Sequence, residues 1–179
     1  MSAVVVPIRS HSDIVSISGV HVLRGVLTPR ECAMLCAHSG ARAHHQDDGH
    51  GLSAKKNVRL PLVSLKILGK IDAGAVAPYR PLNIDEMMKV YRLDAGLGAV
   101  AEHTDADFIG PDGSIAKFSV LVYLNGQYAG GETLFRGINP KADLAPGDAY
   151  LFRHDIPHEG MPVRLGTKFV LKTDLFVES

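Results

Sequence analysis

The chain has 179 residues, enough for one domain with a substantial core and too few for two comfortable ones. Lysines plus arginines and aspartates plus glutamates both number 19, so no excess of positive charge predicts binding to nucleic acid or to an anionic membrane surface. Apolar residues form 46% of the chain, beside 18 glycines and 10 prolines, which favours a folded, turn-rich, mainly β domain over 1–179.

The N-terminal apolar run is too short and too broken for a signal peptide, and no stretch approaches a transmembrane length. Cys32 and Cys36 lie four residues apart on a predicted helix, which is not a disulfide framework, and no second cysteine pair completes a zinc site. We therefore expect a reduced, cytoplasmic protein.

The N-terminal half reads as a scaffold. Loose alternation over 14–27 predicts one or two short strands. Thr28 and Glu31 form a capping-box pattern that predicts a helix over 31–39, ending before Gly40. We expect Leu35 and Met34 to face the core from this helix, together with one of the two cysteines.

A second helix is predicted by apolar residues at steps of three, ending at Gly74. These residues are Leu62, Leu65, Leu68 and Ile71. We expect the two scaffold helices, within about 28–74, to cover one outer face of a sheet.

Between the helices, 41–57 is polar and contains His44, His45 and His50 close to two aspartates. A metal site is one interpretation, but no helix or strand spacing fixes the ligands. A mobile loop, able to act as a lid, is the interpretation we adopt.

The C-terminal half, about 84–177, is a run of short strands with helices only upstream. The pattern predicts strands at 87–93, 99–105, 118–124, 132–136, 149–153 and 168–177. A turn-rich loop occupies 106–116, and Asn125-Gly126 is typical of a hairpin turn. This order favours a β-sandwich or barrel over a parallel α/β sheet.

His103-Thr104-Asp105 is the stretch with chemistry. In a strand, residues i and i+2 point to the same face, so one imidazole and one carboxylate project together. A remote histidine would complete the two-histidine, one-carboxylate set that holds non-haem Fe(II). The His103–Asp105 pair alone is weak evidence for a metal site, because a chain with nine histidines can contain such a pair by chance.

Seven motifs in order resemble the Fe(II)/2-oxoglutarate-dependent dioxygenases, in their prolyl 4-hydroxylase-like branch. The resemblance covers about 84–177, with a weaker similarity from Gly19 onward. The motifs are Val90-Tyr91-Arg92, His103-Thr104-Asp105, Leu121-Val122-Tyr123-Leu124-Asn125, Gly130-Gly131-Glu132-Thr133-Leu134-Phe135, Pro146-Gly147-Asp148-Ala149-Tyr150-Leu151-Phe152, His158-Glu159-Gly160 and Lys168. The implied fold is mainly β, a double-stranded β-helix or jelly roll with N-terminal helices packed on one sheet.

The resemblance implies that His103, Asp105 and His158 ligate Fe(II). It implies that Lys168 binds the distal carboxylate of 2-oxoglutarate beside Tyr123, and that Tyr91 lines the same pocket. Halogenating relatives lack the carboxylate at Asp105, so its presence here implies hydroxylation. The implied reagents are Fe(II), 2-oxoglutarate and O2, with ascorbate as a candidate reductant.

A buried dicarboxylate needs a cation, because an unpaired carboxylate in a barrel costs several kcal/mol. Lys168 opens the last predicted strand and shares a face with Val170, Lys172 and Asp174. Relatives often have arginine at Lys172. Lys172 and Asp174 are therefore either substrate contacts or paired with each other.

Several alternatives stay open. His154 competes with His158 as a ligand, and Arg164 competes with Lys168 as the carboxylate binder. Arg80 and Arg92 are candidates to meet an anionic substrate group. The remaining histidines outside the polar loop, including His21, are expected to be surface or hydrogen-bonded residues.

The expected activity is hydroxylation of an unactivated C–H of a free amino acid or natural-product intermediate, without nucleic-acid or membrane partners. Peptidyl prolyl hydroxylation by the same chemistry is one alternative. A non-catalytic or cupin-type jelly roll that binds a small molecule is another. We expect specificity to lie in 41–57 and 106–116; the pattern predicts neither the substrate nor the oligomeric state.

Overall fold

The computed structural model describes residues 19–40, 54–97, 99–138 and 143–178. The elements in these ranges are β1 (Val20–Leu23), α1 (Pro29–Gly40), β2 (Ala54–Arg59), α2 (Pro61–Leu68), a 3-10 helix (Ala73–Val76), β3 (Arg80–Ile84), β4 (Met87–Asp94), β5 (Val100–His103), β6 (Phe108–Ile109), β7 (Ile115–Tyr123), β8 (Tyr128–Gly130), β9 (Thr133–Phe135), β10 (Ala149–Arg153), β11 (His158–Gly160) and β12 (Val163–Glu178). None of the helices in these ranges is long and apolar enough to cross a membrane.

The described residues form two antiparallel sheets. The major sheet has the order β1-β10-β7-β12-β4-β2, with β3 and β8 also pairing with β12 and β6 pairing with β7. The minor sheet has the order β5-β11-β9. The mainly β prediction is confirmed, and the strands missed by the sequence are short or lie at sheet edges, where alternation is weakest.

The helices pack on the outer face of the major sheet, as predicted. Strand alternation turns Val90, Val122 and Leu171 toward this face, where they share one apolar core with Leu35 and Ile67 of the two helices. The opposite face of the same strands, which faces the minor sheet, carries apolar side chains such as Leu93 and Val170 together with the buried Lys168.

The capping box that begins α1 is confirmed. The Thr28 N–H donates to the Glu31 carboxylate at 2.9 Å, and the Glu31 N–H donates to the Thr28 hydroxyl at 3.3 Å. The prediction that Met34 faces the core is wrong, since its side chain is 63% exposed. Cys32 and Leu35, three residues apart, take the buried stripe instead.

The second helix is shorter than predicted, and its most deeply buried residues are not the ones that the pattern predicted. It ends at Leu68 before Gly69, and its buried residues are Ser64 and Ile67, while Leu65 is 65% exposed. Of the four residues that predicted the helix, Leu62 and Leu65 are exposed, whereas Leu68 and Ile71 are partly buried against the apolar core that the helices share with the sheet.

Three predictions about connections are corrected. Residues 54–57 belong to β2 and not to a loop, whereas 41–53 lie outside the described residues. The segment 106–116 contains β6, and its Phe108 ring packs edge-on against Phe176, 5.4 Å between centroids. Asn125 does not close a hairpin, because the following strand, β8, pairs with β12 and not with β7.

The Asn125 side chain instead attaches the end of β7 to β12. Its amide donates to the Thr167 carbonyl at 2.7 Å and its oxygen accepts from the Phe169 N–H at 2.8 Å. These two bonds hold β12 on either side of Lys168, which places that residue at a defined depth in the sheet.

Candidate functional site

His103, Asp105 and His158 come together at one end of the minor sheet. His103 ends β5 and His158 begins β11, and the register pairs these two residues directly. The Nε2 atoms of His103 and His158 each lie 3.9 Å from a different oxygen of Asp105. The potential ligand atoms of the three residues all lie within 4.8 Å of one another.

The local structure that positions Asp105 differs from the predicted strand. β5 ends at His103, so Asp105 is not in a strand and the same-face argument does not apply. Its backbone N–H donates to the His154 carbonyl at 2.9 Å, and the Ser119 hydroxyl donates to its carboxylate. The loop after β5 is thus held by contacts with β7 and with the segment after β10.

Both imidazoles are held in the tautomer that leaves Nε2 free to bind a metal. Nδ1 of His103 lies 2.9 Å from the Ala101 carbonyl, and Nδ1 of His158 lies 3.0 Å from the Ile156 carbonyl. A carbonyl oxygen only accepts hydrogen bonds, so each Nδ1 carries the proton and each Nε2 presents a lone pair toward Asp105. Outer hydrogen bonds of this kind orient metal-binding histidines.

The protonation states suit a cation. Burial lowers the pKa of His158, against a smaller opposing effect of its bond to the Ile156 carbonyl and of Asp105. Burial would raise the pKa of Asp105, but the Lys172 ammonium and the Ser119 hydroxyl outweigh it and hold that pKa below its ordinary value. A neutral imidazole and an ionised carboxylate are the forms that ligate metals.

His154 is not part of this cluster. It is 2% exposed, with Nδ1 3.2 Å from Asp107 and Nε2 3.3 Å from Asp174. The structure therefore assembles His158, and not His154, with His103 and Asp105. His154 supports them through its backbone carbonyl.

Lys168 is buried on the concave face of the major sheet. Its side chain is 3% exposed, its Nζ donates to the Gly131 carbonyl at 2.6 Å, and the same atom lies 4.5 Å from the centre of the Tyr123 ring. Burial lowers its pKa to about 8, against a smaller opposing effect of Glu132. No carboxylate of the described residues lies within 4 Å of this ammonium.

The two predicted tyrosines hold different positions. The Tyr123 hydroxyl shares a hydrogen bond of 2.7 Å with Thr133, and burial raises its pKa beyond the ordinary range. Tyr91 lines the cavity from β4, opposite Val170 of β12. Tyr123 thus contacts Lys168 with its ring face, and Thr133 is the residue of this pair that lines the cavity.

Lys172 and Asp174 lie on the same face of β12 as Lys168, which confirms the predicted alternation. Lys172 Nζ lies 3.0 Å from Asp174 and 3.5 Å from Asp105. Lys172 and Asp174 therefore pair with each other, as one of the two predicted alternatives stated, and Lys172 also lies beside the Asp105 carboxylate.

One cavity of about 410 Å³ is lined by His103, Asp105 and His158 together with Lys168 and Lys172. It is lined by Lys55, Lys89, Tyr91, Leu93, Val100, Ala101, Glu102, His103, Asp105, Leu121, Thr133, Phe152, His158, Glu159, Gly160, Lys168, Val170 and Lys172. No residue of 106–116 is among them, so the prediction that this segment sets specificity is not supported. Of 41–57, the described lining residue is Lys55.

The three arginines considered from the sequence lie elsewhere. Arg80 pairs with Glu178 at the far end of β12. Arg92 pairs with Asp94 and alternates with the cavity-lining Tyr91 and Leu93, so it belongs to the opposite face of β4. Arg164 is mostly exposed, 3.8 Å from Glu132. The structure does not bring any of them to the cavity.

Sequence reasoning missed Lys89, Lys55, Ser119 and Thr133. Lys89 could have been found, because it alternates with Tyr91 in a strand that was predicted. Ser119 required the register between β7 and β12, which pairs it with Asp174 and which no local pattern encodes.

His21 was expected to be exposed or satisfied; it is 6% exposed, and its Nδ1 has no hydrogen-bond partner among the described residues.

No family model and no curated protein matches this sequence. Solved structures do match. A viral collagen prolyl hydroxylase from Paramecium Bursaria Chlorella virus-1, in its 2OG complex, superposes with a TM-score of 0.59 at 19% identity, covering 90% of this chain and 97% of that one. A Pseudomonas putida prolyl-4-hydroxylase gives a TM-score of 0.60 at 14% identity, covering 90% and 94%.

A third match is a non-heme alpha ketoglutarate dependent epimerase from nogalamycin biosynthesis. It has a TM-score of 0.62 at 15% identity and covers 88% of this chain and 78% of that one. Sequence identity this low establishes the fold and not the reaction. The chain has the jelly-roll fold of the 2-oxoglutarate/Fe(II) oxygenases, as its sequence motifs predicted.

Proposed function

We propose that this protein is an Fe(II)- and 2-oxoglutarate-dependent dioxygenase that hydroxylates an unactivated C–H of a small amino-acid-like or natural-product substrate. The observation that carries the proposal is the pair of imidazoles that present Nε2 toward one carboxylate, in the same cavity as a buried lysine. Two imidazoles and one carboxylate are the donor set of non-haem Fe(II) oxygenases.

The residues fit both groups. His103, Asp105 and His158 would hold the iron, and their arrangement leaves the cavity side open because no fourth protein ligand of the described residues joins the cluster. Lys168 would bind the distal carboxylate of 2-oxoglutarate, with Tyr123 beneath its ammonium. When bound, iron and 2-oxoglutarate would supply the oxidising chemistry in which O2, 2-oxoglutarate and the substrate C–H give succinate, CO2 and the hydroxylated product.

The protein's own contribution is to position the metal-binding side chains and to exclude water from the cavity. Phe152 packs edge-on against His158, 4.7 Å between ring centres, and backs the ligand set with an apolar wall. Ser119 and Lys172 hold Asp105 ionised and oriented, so its carboxylate does not need to reorganise when the metal enters. A cavity of about 410 Å³ is within the usual range of small-molecule sites.

The test is an anaerobic titration of metal-free protein with Fe(II) and then 2-oxoglutarate. We expect the weak visible charge-transfer band of the iron chelate to form in the wild type and in His38→Ala, which changes an exposed histidine of α1. The band should be lost in His103→Ala, because one of three ligands is removed.

Two results would redirect the assignment. Iron binding without the band would contradict the role of Lys168 and favour a cupin-type enzyme. Failure to bind iron at all would favour a non-catalytic jelly roll. If the band forms, succinate release triggered by free amino acids, as opposed to proline-containing peptides, separates the small-molecule activity from peptidyl hydroxylation.

A further inference from the structure

Two lysines in the cavity have no role in the ligand set or in 2-oxoglutarate binding. Lys89 of β4 and Lys55 of β2 both line the cavity wall. The register places Lys89 opposite Lys172 on one side and opposite Asn57 on the other, and it places Lys55 opposite Tyr91. Lys89 and Lys55 are therefore diagonal neighbours on one face, with β-carbons roughly 7–8 Å apart.

Within the part of the chain that the structure describes, these two lysines have no acidic partner, unlike the cation beside them. Lys172 lies within 4 Å of both Asp105 and Asp174. No described carboxylate lies within 4 Å of the ammonium of Lys89 or Lys55. Other cations of 54–97 and 99–138, such as Arg59, Arg92 and Arg136, each have such a carboxylate. Asp105 and Asp174 balance the charge of Lys172, but among the described residues no carboxylate balances the ammonium of Lys89 opposite it, so an external anion would stabilise Lys89.

The position of Lys89 separates it from the 2-oxoglutarate end of the cavity. Lys168 and Lys172 are four residues apart on β12, a separation of roughly 13 Å along the strand. On β4, Leu93 lies opposite Lys168. Lys89 lies opposite Lys172, the lysine that contacts Asp105. An anion at Lys89 therefore lies close to the ligand set, across the cavity from the anchor for 2-oxoglutarate.

From this arrangement we propose that Lys89, assisted by Lys55, binds the carboxylate of the substrate. The substrate class is then a small carboxylic acid, with its reactive C–H a few bonds from the carboxylate. This inference rests on the proposed function and narrows it, since a peptide bond in place of the free carboxylate would leave Lys89 without its partner.

The experiment uses the full chain loaded anaerobically with Fe(II) and 2-oxoglutarate. The probes are the free L-amino acids and their N-acetyl forms, each compared with its own carboxamide. The readout is the perturbation of the chelate band at equilibrium, which reports binding without turnover. We expect at least one acid to bind the wild type about 10- to 100-fold more tightly than its amide, the range for a hydrogen bond to a charged group.

Lys89→Gln should remove most of that preference, and Lys55→Gln should remove a smaller part. The matched control is Lys56→Gln, the next residue of β2, whose side chain points to the opposite face and donates to the His38 carbonyl. Lys56→Gln should keep the wild-type preference. The affinity for 2-oxoglutarate should be the same in all four proteins.

Three results would overturn the inference. They are a wild type that binds no acid of the panel better than its amide, a Lys89→Gln variant that keeps the preference, and a Lys89→Gln variant with weakened 2-oxoglutarate binding. The chelate band is recorded before any probe is added, so its absence would mark failure of the proposed function itself. Its presence with any of the three results would mark failure of the substrate inference alone.

Discussion

At the scale of single residues, the site depends on hydrogen bonds made by atoms that face away from it. His103 and His158 each donate through Nδ1 to a backbone carbonyl two residues earlier in the chain. Because both side chains make this same hydrogen bond to residue i−2, both Nε2 atoms are free to face Asp105. The sequence predicted the two residues, but the tautomer follows from backbone positions that appear only in the fold.

Lys168 illustrates a conflict between function and stability. A charged ammonium that is 3% exposed pays a desolvation cost, which is why burial lowers its pKa from 10.5 to about 8. A shift of this size corresponds to about 3 kcal/mol against folding at neutral pH. The Gly131 carbonyl and the Tyr123 ring offset part of this cost in the protein without 2-oxoglutarate.

We therefore predict that Lys168→Met stabilises the metal-free protein by on the order of 1–3 kcal/mol at pH 7, while 2-oxoglutarate binding is lost. Urea unfolding measures the first effect and the chelate band measures the second. Because the pKa of the folded protein is the lower one, the penalty is complete below pH 8 and fades as pH rises toward 10.5. A stability difference that does not shrink over this interval would contradict the explanation.

At the scale of elements, β12 serves two different environments. One face carries Lys168, Val170 and Lys172 into the cavity, and the other carries Phe169 and Leu171 into the core beneath the helices. A one-residue slip would exchange the faces, so the apolar face fixes the register of the functional one.

Truncating the apolar face of β12 tests this coupling. Leu171 is fully buried at the centre of the outer-face core, so Leu171→Ala should lower the free energy of unfolding by about 2–5 kcal/mol. Leu165→Ala on the same strand, where the side chain is 70% exposed, should change it by less than about 0.5 kcal/mol. Equal effects in chemical denaturation would contradict the burial of Leu171 in the core beneath the helices.

At the scale of the whole molecule, the proposed iron and 2-oxoglutarate sites join distant segments. His103 and His158 come from the minor sheet, and Lys168 comes from the major sheet. Ligands that bridge the sheets bind the folded chain and not the unfolded one, so they stabilise the fold by linkage.

Fe(II) and 2-oxoglutarate, each at about 100 times its dissociation constant, should together raise the free energy of unfolding by several kcal/mol, about 2.7 kcal/mol for each saturating step. For a chain of this length, the first 2.7 kcal/mol alone should raise Tm by about 5–10 °C. Anaerobic thermal unfolding measures the shift, and a chelator should reverse it. His103→Ala should show little metal-dependent shift; a full shift in that variant would place the iron elsewhere.

The sequence alone determined the mainly β jelly roll, the capped first helix, the two-faced last strand and the three candidate ligands. These features are written in local periodicity and in short motifs, which survive without knowledge of what packs against them. The family resemblance also implied a role for Lys168, and strand alternation correctly put it on the same face of its strand as Val170 and Lys172.

Only the tertiary structure decided which polar residues meet. Asp105 lies beyond its strand and is held by His154 and Ser119, and Arg92 faces away from the cavity where Lys89 lines it. The buried face of α2 was likewise decided by the sheet beneath it. In each case the outcome depends on strand register and on contacts between segments far apart in sequence, which residue patterns do not specify.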